Sequence, residues 1–212
     1  MDVRGLVDAL ARMSPPGVLT GARLISALDG DLLGDAERSL VVNAVATRQR
    51  EFATGRALLR DLIGTSESIM IGPSGAPVWP QGVTGSLAHD RSVAVAAVGR
   101  LSTIAAIGID VEPIDELPAD MARVILRHDE QDIDAHLAFT LKEAAYKAWS
   151  SLGGRMLEHH DVRLHLAGHE PDDSVGRRFA ATIVTDGRTL EGRWTSVDGW
   201  LIAIVVVVVV VV

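Results

Sequence analysis

The alternation of apolar and polar positions divides the chain into helical and strand-like segments. A helical period runs from Asp35, a residue type favoured at the start of a helix, to about Ile63. Strand-like runs follow at 92–98 and 103–112. Further helices are expected over 118–127 and 140–152, and further strands over 178–185, 189–195 and from Trp200 onward.

Both halves of the chain combine helices with strands, which predicts a mixed α+β fold. A length of 212 residues fits one large domain or two small ones. We place the boundary between an N-terminal subdomain, 1–103, and a C-terminal subdomain, 104–212.

Composition narrows the classes of function. The chain has no cysteine, which excludes disulfides, thiolate metal sites and a cysteine nucleophile. A net charge of −8 disfavours nucleic-acid binding, which needs a basic face. The N-terminus lacks the apolar run of a signal peptide, and the apolar segment 200–212 is shorter than the roughly 20 residues that span a bilayer. We therefore expect a cytoplasmic protein without a membrane partner, and we assign no function to the valine run 205–212.

Two acidic side chains share one face at the end of the strand predicted over 103–112. In "GIDVEP" (108–113), Asp110 and Glu112 point to the same side of the strand, while Val111 points to the other. Like charges this close repel unless a cation lies beside them. The pattern therefore predicts a cation next to Asp110 and Glu112.

Two arginines flank the apolar stripe of the helix predicted from Asp35. On a helical wheel Arg48 and Arg56 lie at the two edges of the stripe, and Arg50 lies on the opposite face. A half-buried guanidinium requires an anion, although both side chains could also extend to water or to nearby acids. The stripe consists of Val41, Val45, Phe52, Leu59 and Ile63.

The stretch "GSLAHD" (85–90) is predicted as a turn before the strand at 92–98. Backbone N–H groups of the glycine-serine pair and the ring of His89 are able to donate to a phosphate. The alternative, a structural or solvated histidine, stays open. Of the other histidines, His165 and His169 are four apart, but their segment is not helical and predicts no zinc site.

The segment "FTLKEAAYKAW" (139–149) places Glu143 and Lys147 four residues apart on one helical face. A structural interpretation makes Thr140 and Glu143 a capping box and Glu143–Lys147 an exposed ion pair. Together with Asp110 and Glu112, however, Glu143 suits a hard divalent cation, since Mg²⁺ takes carboxylate, water and phosphate oxygens. No P-loop and no GxGxxG turn is present, so the sequence predicts phosphate-transfer chemistry of another kind.

Four stretches resemble, in order, the Sfp/EntD-type 4′-phosphopantetheinyl transferases, which move phosphopantetheine from coenzyme A onto a carrier-protein serine. They are "RQREFATGRALLRDL" (48–62), "GAPVWPQGVTGSLAH" (75–89), "IGIDVEP" (107–113) and "FTLKEAAYKAW" (139–149). The paired GIDxE and KExxxKA motifs are the specific part. The resemblance implies two similar subdomains related by a pseudo-twofold axis, each a small antiparallel sheet packed with helices, with coenzyme A in the cleft between them.

The resemblance also implies roles for single residues. Asp110, Glu112 and Glu143 would hold Mg²⁺, with Mn²⁺ as an alternative ion, against the diphosphate of coenzyme A. The catalytic residues would be Glu143, as the general base, and Lys147, in contact with the phosphates. The groups that bind coenzyme A would be Arg48, Arg56, His89 and Lys147.

The partner implied by the resemblance is an acyl or peptidyl carrier protein, and the transferase is expected to be a monomer. The segment 114–137 is the expected docking region. The products would be the holo carrier protein and 3′,5′-ADP. Tolerance of acylated coenzyme A and the pathway (siderophore, polyketide, peptide or fatty-acid synthesis) stay open.

Three residues depart from the family pattern: Ser74 replaces a basic residue, Ala88 a hydroxyl residue, and Asp90 adds a negative charge next to His89. Each is expected to weaken coenzyme A binding. They motivate a second hypothesis, a degenerate relative that binds a carrier domain or coenzyme A without catalysing transfer. A third hypothesis explains every motif as a cap, a salt bridge or a solvated arginine.

Overall fold

The computed structural model describes residues 2–72, 75–115, 117–118, 120–168 and 173–209. In this part of the chain the helices are α1 (Arg4–Met13), α2 (Asp35–Val41), α3 (Ala46–Ile63), α4 (Met121–Ile125) and α5 (Ala135–Ser151). The strands are β1 (Val18–Leu24), β2 (Val83–His89), β3 (Val93–Arg100), β4 (Ile104–Pro113), β5 (Val162–Leu166), β6 (Arg177–Ile183), β7 (Thr189–Val197) and β8 (Trp200–Val208). Short 3₁₀ helices cover Ala27–Leu32, His159–Asp161 and Asp173–Val175.

The strands form two antiparallel sheets. The first has the order β1-β3-β2, and the second has the order β4-β8-β7-β6-β5. The sheets adjoin where β2 lies beside β4, and there the backbone N–H of Ile109 donates to Ser86 Oγ at 3.1 Å. The predicted α+β class is confirmed, while the subdomain boundary between 1–103 and 104–212 stays a prediction.

Helices cover the sheets and enclose the core. On one face of the five-stranded sheet, Leu141 and Ala145 of α5 share a buried cluster with Ala203 of β8. Leu10 of α1 belongs to a second cluster, on the opposite face of that sheet. α3 packs against the three-stranded sheet through a third cluster that includes Leu59. The second cluster also contains Val95 of β3 and Ile109 of β4, so the two sheets are joined through apolar packing on the α1 side of β4.

The helix predicted from Asp35 to Ile63 is in fact two helices, and the prediction of one continuous helix was wrong. The chain leaves the helical conformation between α2 and α3. The Gln49 side chain donates to the carbonyls of Val42 and Ala44, which satisfies backbone acceptors at the break. Val45 is consequently 74% exposed and does not belong to the buried stripe.

Other elements differ from the prediction in their bounds. The "GSLAHD" segment is mostly strand β2 and not a turn, and β1 and β5 were not predicted. α5 begins at Ala135, where the Asp134 side chain accepts from Leu137 N at 2.9 Å. Thr140 is therefore buried inside the helix and donates to the His136 carbonyl, so the capping-box interpretation was wrong.

The last strand, β8, contains Val205–Val208 of the valine run, whereas 210–212 lie outside the described residues. None of the helices in the described part of the chain combines the length and the apolar character that crossing a membrane requires.

Candidate active site

Asp110 and Lys147 connect β4 to α5 at the centre of the candidate site. Lys147 Nζ donates to Asp110 Oδ1 at 2.6 Å and to the Ile109 carbonyl at 3.1 Å. Asp110 is 4% exposed, and burial raises the pKa of its carboxyl although Lys147 acts in the opposite direction. The cation that contacts Asp110 in this structure is thus Lys147. The structural interpretation expected Lys147 to form an exposed ion pair with Glu143, whereas its ion pair is with Asp110.

Glu112 lies on the same side of β4 as Asp110. Burial, followed by the charge of Asp110, raises the pKa of Glu112 to about 7. His136 of α5 approaches it, with Nε2 3.8 Å from Glu112 Oε2. The other ring nitrogen, Nδ1, lies 2.9 Å from the Asp115 carbonyl and must donate to it, because a carbonyl oxygen only accepts. This bond fixes the orientation of the His136 ring.

Glu143 projects from α5 towards the same region and contacts His159. His159 Nε2 lies 3.5 Å from Glu143 Oε1. His159 holds the pKa of Glu143 below its usual range and outweighs the opposite effect of burial. The Glu143 carboxyl is therefore ionised at neutral pH.

Arg56 is buried, with 3% exposure, and no carboxylate of the described residues is in hydrogen-bond contact with it, although the charge of Glu37 acts on it. Its Nε donates to the Ile69 carbonyl at 2.6 Å, Nη2 approaches the Met70 carbonyl at 3.4 Å, and the guanidinium lies 4.4 Å from the Phe52 ring centroid. Burial lowers the pKa of Arg56 to about 10, so the group stays charged at neutral pH. A buried cation whose contacts in the described part of the chain are carbonyls and a ring favours an anionic ligand.

Arg48, Glu51 and His89 form a second polar group near Arg56. Arg48 Nη1 donates to His89 Nε2 at 2.8 Å, and Glu51 Oε2 lies 3.5 Å from Arg48 Nη1 and 3.7 Å from His89 Nδ1. Burial is the main cause that lowers the pKa of His89, and Arg48 adds to it. His89 is thus neutral here, with an unprotonated Nε2.

A cavity of about 290 Å³ brings these groups together. Its wall contains the predicted coenzyme A ligands and the predicted base. Apolar side chains close it on the side of the loop that precedes β2, among them Pro77 and Trp79. The sequence-predicted residues in the wall are Arg48, Arg56, His89, Glu143 and Lys147. Asp110 is connected to the cavity by its hydrogen bond with Lys147, which lines the wall.

Comparison with known proteins identifies the family. Residues 36–99 match the model of the 4′-phosphopantetheinyl transferase N-terminal domain, and residues 106–205 match that of the 4′-phosphopantetheinyl transferase superfamily. The chain is 34% identical to 4′-phosphopantetheinyl transferase PptT of Mycobacterium tuberculosis, over 80% of this chain and 84% of that protein. The chain belongs to the 4′-phosphopantetheinyl transferase family.

Two further transferase relatives support this assignment. 4′-Phosphopantetheinyl transferase Svp of Streptomyces mobaraensis is 31% identical, over 93% of this chain and 89% of its own length. Enterobactin synthase component D of Salmonella typhimurium is 29% identical, over 82% of this chain and 79% of its own length. The similarity therefore extends over both sheets and includes the residues of the candidate site.

The transferase site offers the donor chemistry of a hard divalent ion but not a preformed three-ligand cage. Asp110 Oδ2 is buried and has no hydrogen-bond partner within the described ranges, and the charges of Asp110 and Glu143 raise the pKa of Glu112 although Lys147 lowers it. Among the described residues, however, no three Asp, Glu or His groups lie close enough to hold one ion. Oxygen donors of this type suit Mg²⁺ when water and phosphate complete the shell.

The family departures have structural roles of their own. Asp90 Oδ1 accepts from the backbone N–H groups of Ser92 and Val93 at 2.7 and 2.8 Å, so its charge closes the β2–β3 turn. Ala88 is 4% exposed and packs in the core cluster shared with α1. Ser74 lies outside the described residues.

Sequence reasoning missed three residues of this transferase site: Glu51, His136 and His159. Glu51 had a detectable signal, because it follows Arg48 by three positions on a helix. The two histidines had no such signal in the sequence. His136 contacts Glu112, and His159 contacts Glu143, only because different elements pack together.

Proposed function

We propose that this transferase moves the 4′-phosphopantetheine group of coenzyme A to a serine of an acyl or peptidyl carrier protein and releases 3′,5′-ADP. One observation carries the proposal: Arg48, Arg56, His89 and Lys147 line a single cavity together with Glu143. Three permanent cations and a histidine at one cavity suit a ligand with several phosphate groups.

The arginine end of the cavity would bind the 3′-phospho-ADP part of coenzyme A. Arg56 has its charge buried against carbonyls and a ring, and the charge of Glu37 offsets the effect of burial only in part, so a phosphate would supply a direct counter-charge. Arg48 and His89 would have to separate from each other to bind phosphate, because Arg48 donates to the ring nitrogen that a phosphate would need. Binding would therefore rearrange this pair.

The acidic end would perform the transfer. Asp110, Glu112 and Glu143 would hold Mg²⁺ beside the diphosphate, with Mn²⁺ as an alternative ion. The bound ion would offset the negative charge that develops on the diphosphate. Glu143, ionised at neutral pH, would accept the serine proton as the serine oxygen attacks the phosphorus of the phosphopantetheine group. The bond between that phosphorus and the bridging oxygen breaks, and 3′,5′-ADP leaves.

The carrier protein would dock near α4, in the expected segment 114–137. Ile114 and Val124 are 53% and 55% exposed, and Arg123, the chain neighbour of Val124 in α4, is also exposed. Exposed apolar side chains together with a basic residue suit an acidic carrier domain. The relative called enterobactin synthase component D favours a peptidyl carrier of siderophore synthesis as the first substrate to test. A monomeric, cytoplasmic enzyme that binds neither nucleic acid nor membrane remains our expectation.

The test is transfer itself. The protein is incubated with coenzyme A, Mg²⁺ and a series of apo acyl and peptidyl carrier proteins, and the carriers are weighed by mass spectrometry. We expect a gain of one phosphopantetheine group that chelation of the metal abolishes. A folded protein that modifies none of the carriers would contradict the proposal, and calorimetric binding of coenzyme A or carrier alone would then favour the degenerate relative.

A matched pair of arginine variants sharpens this test. Arg48 and Arg50 are both exposed residues of α3, but only Arg48 lines the cavity. Arg48→Ala should raise the KM for coenzyme A about 10- to 100-fold, since a hydrogen bond to a charged group contributes about 1.5–3 kcal/mol. Arg50→Ala should leave this KM unchanged. Equal effects of the two substitutions would show that the cavity is not the coenzyme A site.

A further inference from the structure

The ring of His159 faces the carboxylate of Glu143, although the two residues come from different elements. His159 starts the 3₁₀ helix His159–Asp161, and Glu143 lies in the middle of α5. Nε2 of His159 is buried and makes no hydrogen bond among the described residues. It lies 3.5 Å from Glu143 Oε1. A buried ring nitrogen this close to a carboxylate is placed to restrain it.

Two contacts fix the position of His159. Its ring packs against Phe139, with 5.6 Å between the ring centroids and 33° between the planes. Its carbonyl accepts from Lys142 Nζ at 3.0 Å. Lys142 in turn donates to Glu130 Oε2 at 2.6 Å, and both side chains are 1% exposed. Since Phe139, Lys142 and Glu143 all belong to α5, the helix that carries the carboxylate also holds His159 beside it.

We propose that His159 is a positioning residue, which holds the Glu143 carboxylate at the angle where it meets the carrier serine and the metal. The inference rests on the proposed function, because Glu143 is the base only in that reaction. Glu143 is 30% exposed, so without His159 its side chain would sample several rotamers. Misplacement of a reacting group by about 1 Å can cost about 100-fold in rate.

Two substitutions at position 159 separate this role from packing. His159→Phe keeps a ring against Phe139 and removes Nε2, whereas His159→Gln keeps an amide nitrogen near the place of Nε2. The adjacent and exposed His160 provides the matched control, His160→Ala. Thermal unfolding of each variant reports whether the fold is retained.

The measurements are kcat and KM for coenzyme A, and the affinity for Mn²⁺ by electron paramagnetic resonance with coenzyme A but without carrier. His159→Phe should lower kcat about 10- to 100-fold and weaken Mn²⁺ binding about 10-fold, in line with the effect of removing a residue that orients a metal ligand. The KM for coenzyme A should change less than about threefold. His159→Gln should recover most of kcat, and His160→Ala should match the wild type.

The two proposals fail in different ways. If the wild-type protein transfers no phosphopantetheine, the proposed function fails. If the wild type is active and His159→Phe, still folded, retains its kcat and Mn²⁺ affinity, the positioning role is overturned. Equal loss in His159→Phe and His159→Gln would also overturn it, because the nitrogen would then not matter.

Discussion

Lys147 donates to one carboxylate oxygen of Asp110 at 2.6 Å, while the other oxygen is buried and has no hydrogen-bond partner among the described residues. Lys147→Met would leave a buried carboxylate without its cation. Removal of one partner from a buried pair is strongly unfavourable, so we expect the free energy of unfolding at pH 7 to fall by about 3 kcal/mol. Urea denaturation measures it.

The double variant Lys147→Met with Asp110→Asn is the control for that loss. It removes both charges, so it should be more stable than Lys147→Met alone. If the free energy of unfolding of the double variant fell by the sum of the losses in Lys147→Met and Asp110→Asn, an ion pair between Lys147 and Asp110 would be contradicted.

The burial of His89, to which the charge of Arg48 adds, makes stability depend on pH. Burial lowers the pKa of His89 below its ordinary value of 6.5, so the fold holds the neutral ring. The unfolded chain binds a proton first as the pH falls, and the stabilisation present above pH 6.5 is lost as the pH falls through the folded-state pKa. His89→Gln should remove this loss.

The measurement is the urea midpoint of both proteins between pH 7 and pH 5. The difference between the two proteins isolates the contribution of His89 from that of Glu112. Because the pKa of Glu112 is raised, its contribution to stability increases as the pH falls, whereas that of His89 decreases. Parallel pH profiles for the wild type and His89→Gln would rule out a buried neutral His89.

Glu130 and Lys142 form a second ion pair, and neither side chain lines the cavity. Besides Lys142, Glu130 accepts from Leu164 N at 2.6 Å and from Arg127 N at 3.1 Å. Lys142→Met should destabilise the fold by about 3–5 kcal/mol, because it leaves a buried carboxylate without a cation. Thermal and urea unfolding measure this change.

An exposed ion pair provides the comparison for Lys142→Met. Arg4 and Asp2 are in contact, but their side chains are 89% and 56% exposed. Arg4→Ala should therefore change the free energy of unfolding by less than about 1 kcal/mol. Similar losses from Arg4→Ala and Lys142→Met would refute the assignment of Glu130–Lys142 as a buried structural pair.

The sequence predicted local features of the site better than its tertiary contacts. Alternation along a strand placed Asp110 and Glu112 on one side of β4, which the structure confirms. The same sequence paired Glu143 with Lys147, because both lie on one helix. In the structure Lys147 turns to Asp110 across the interface of α5 and β4, a contact that no periodicity within α5 encodes.

Errors in the fold have the same origin. Val45 fits a helical stripe, yet side-chain bonds from Gln49 stabilise a break that the apolar period does not record. The "GSLAHD" segment contains turn-forming residues, but pairing with β3 makes it a strand, from Val83 to His89. In the first segment local side-chain bonds, and in the second the pairing of strands, outweighed the preference of the residues themselves.

Gly108 determines how closely the two halves of the site approach. A Cβ atom at this position would collide with the Ala144 carbonyl and would lie 2.6 Å from Ala148 N. Gly108→Ala must therefore push β4 away from α5, and it would separate Asp110 from Lys147. Overpacking against rigid backbone costs about 3 kcal/mol or more. We expect a large loss of stability, and in the fraction that folds, a loss of transfer activity that added coenzyme A does not restore.

Gly30→Ala is the matched control, because a Cβ on Gly30 would meet no atom within 4 Å. Urea unfolding of both variants, together with kcat at saturating coenzyme A, distinguishes a local collision from a general effect of replacing glycine. If Gly108→Ala were as stable and as active as Gly30→Ala, α5 would have room to move away from β4 without harm. The close approach of these two elements would then not be what holds Lys147 against Asp110.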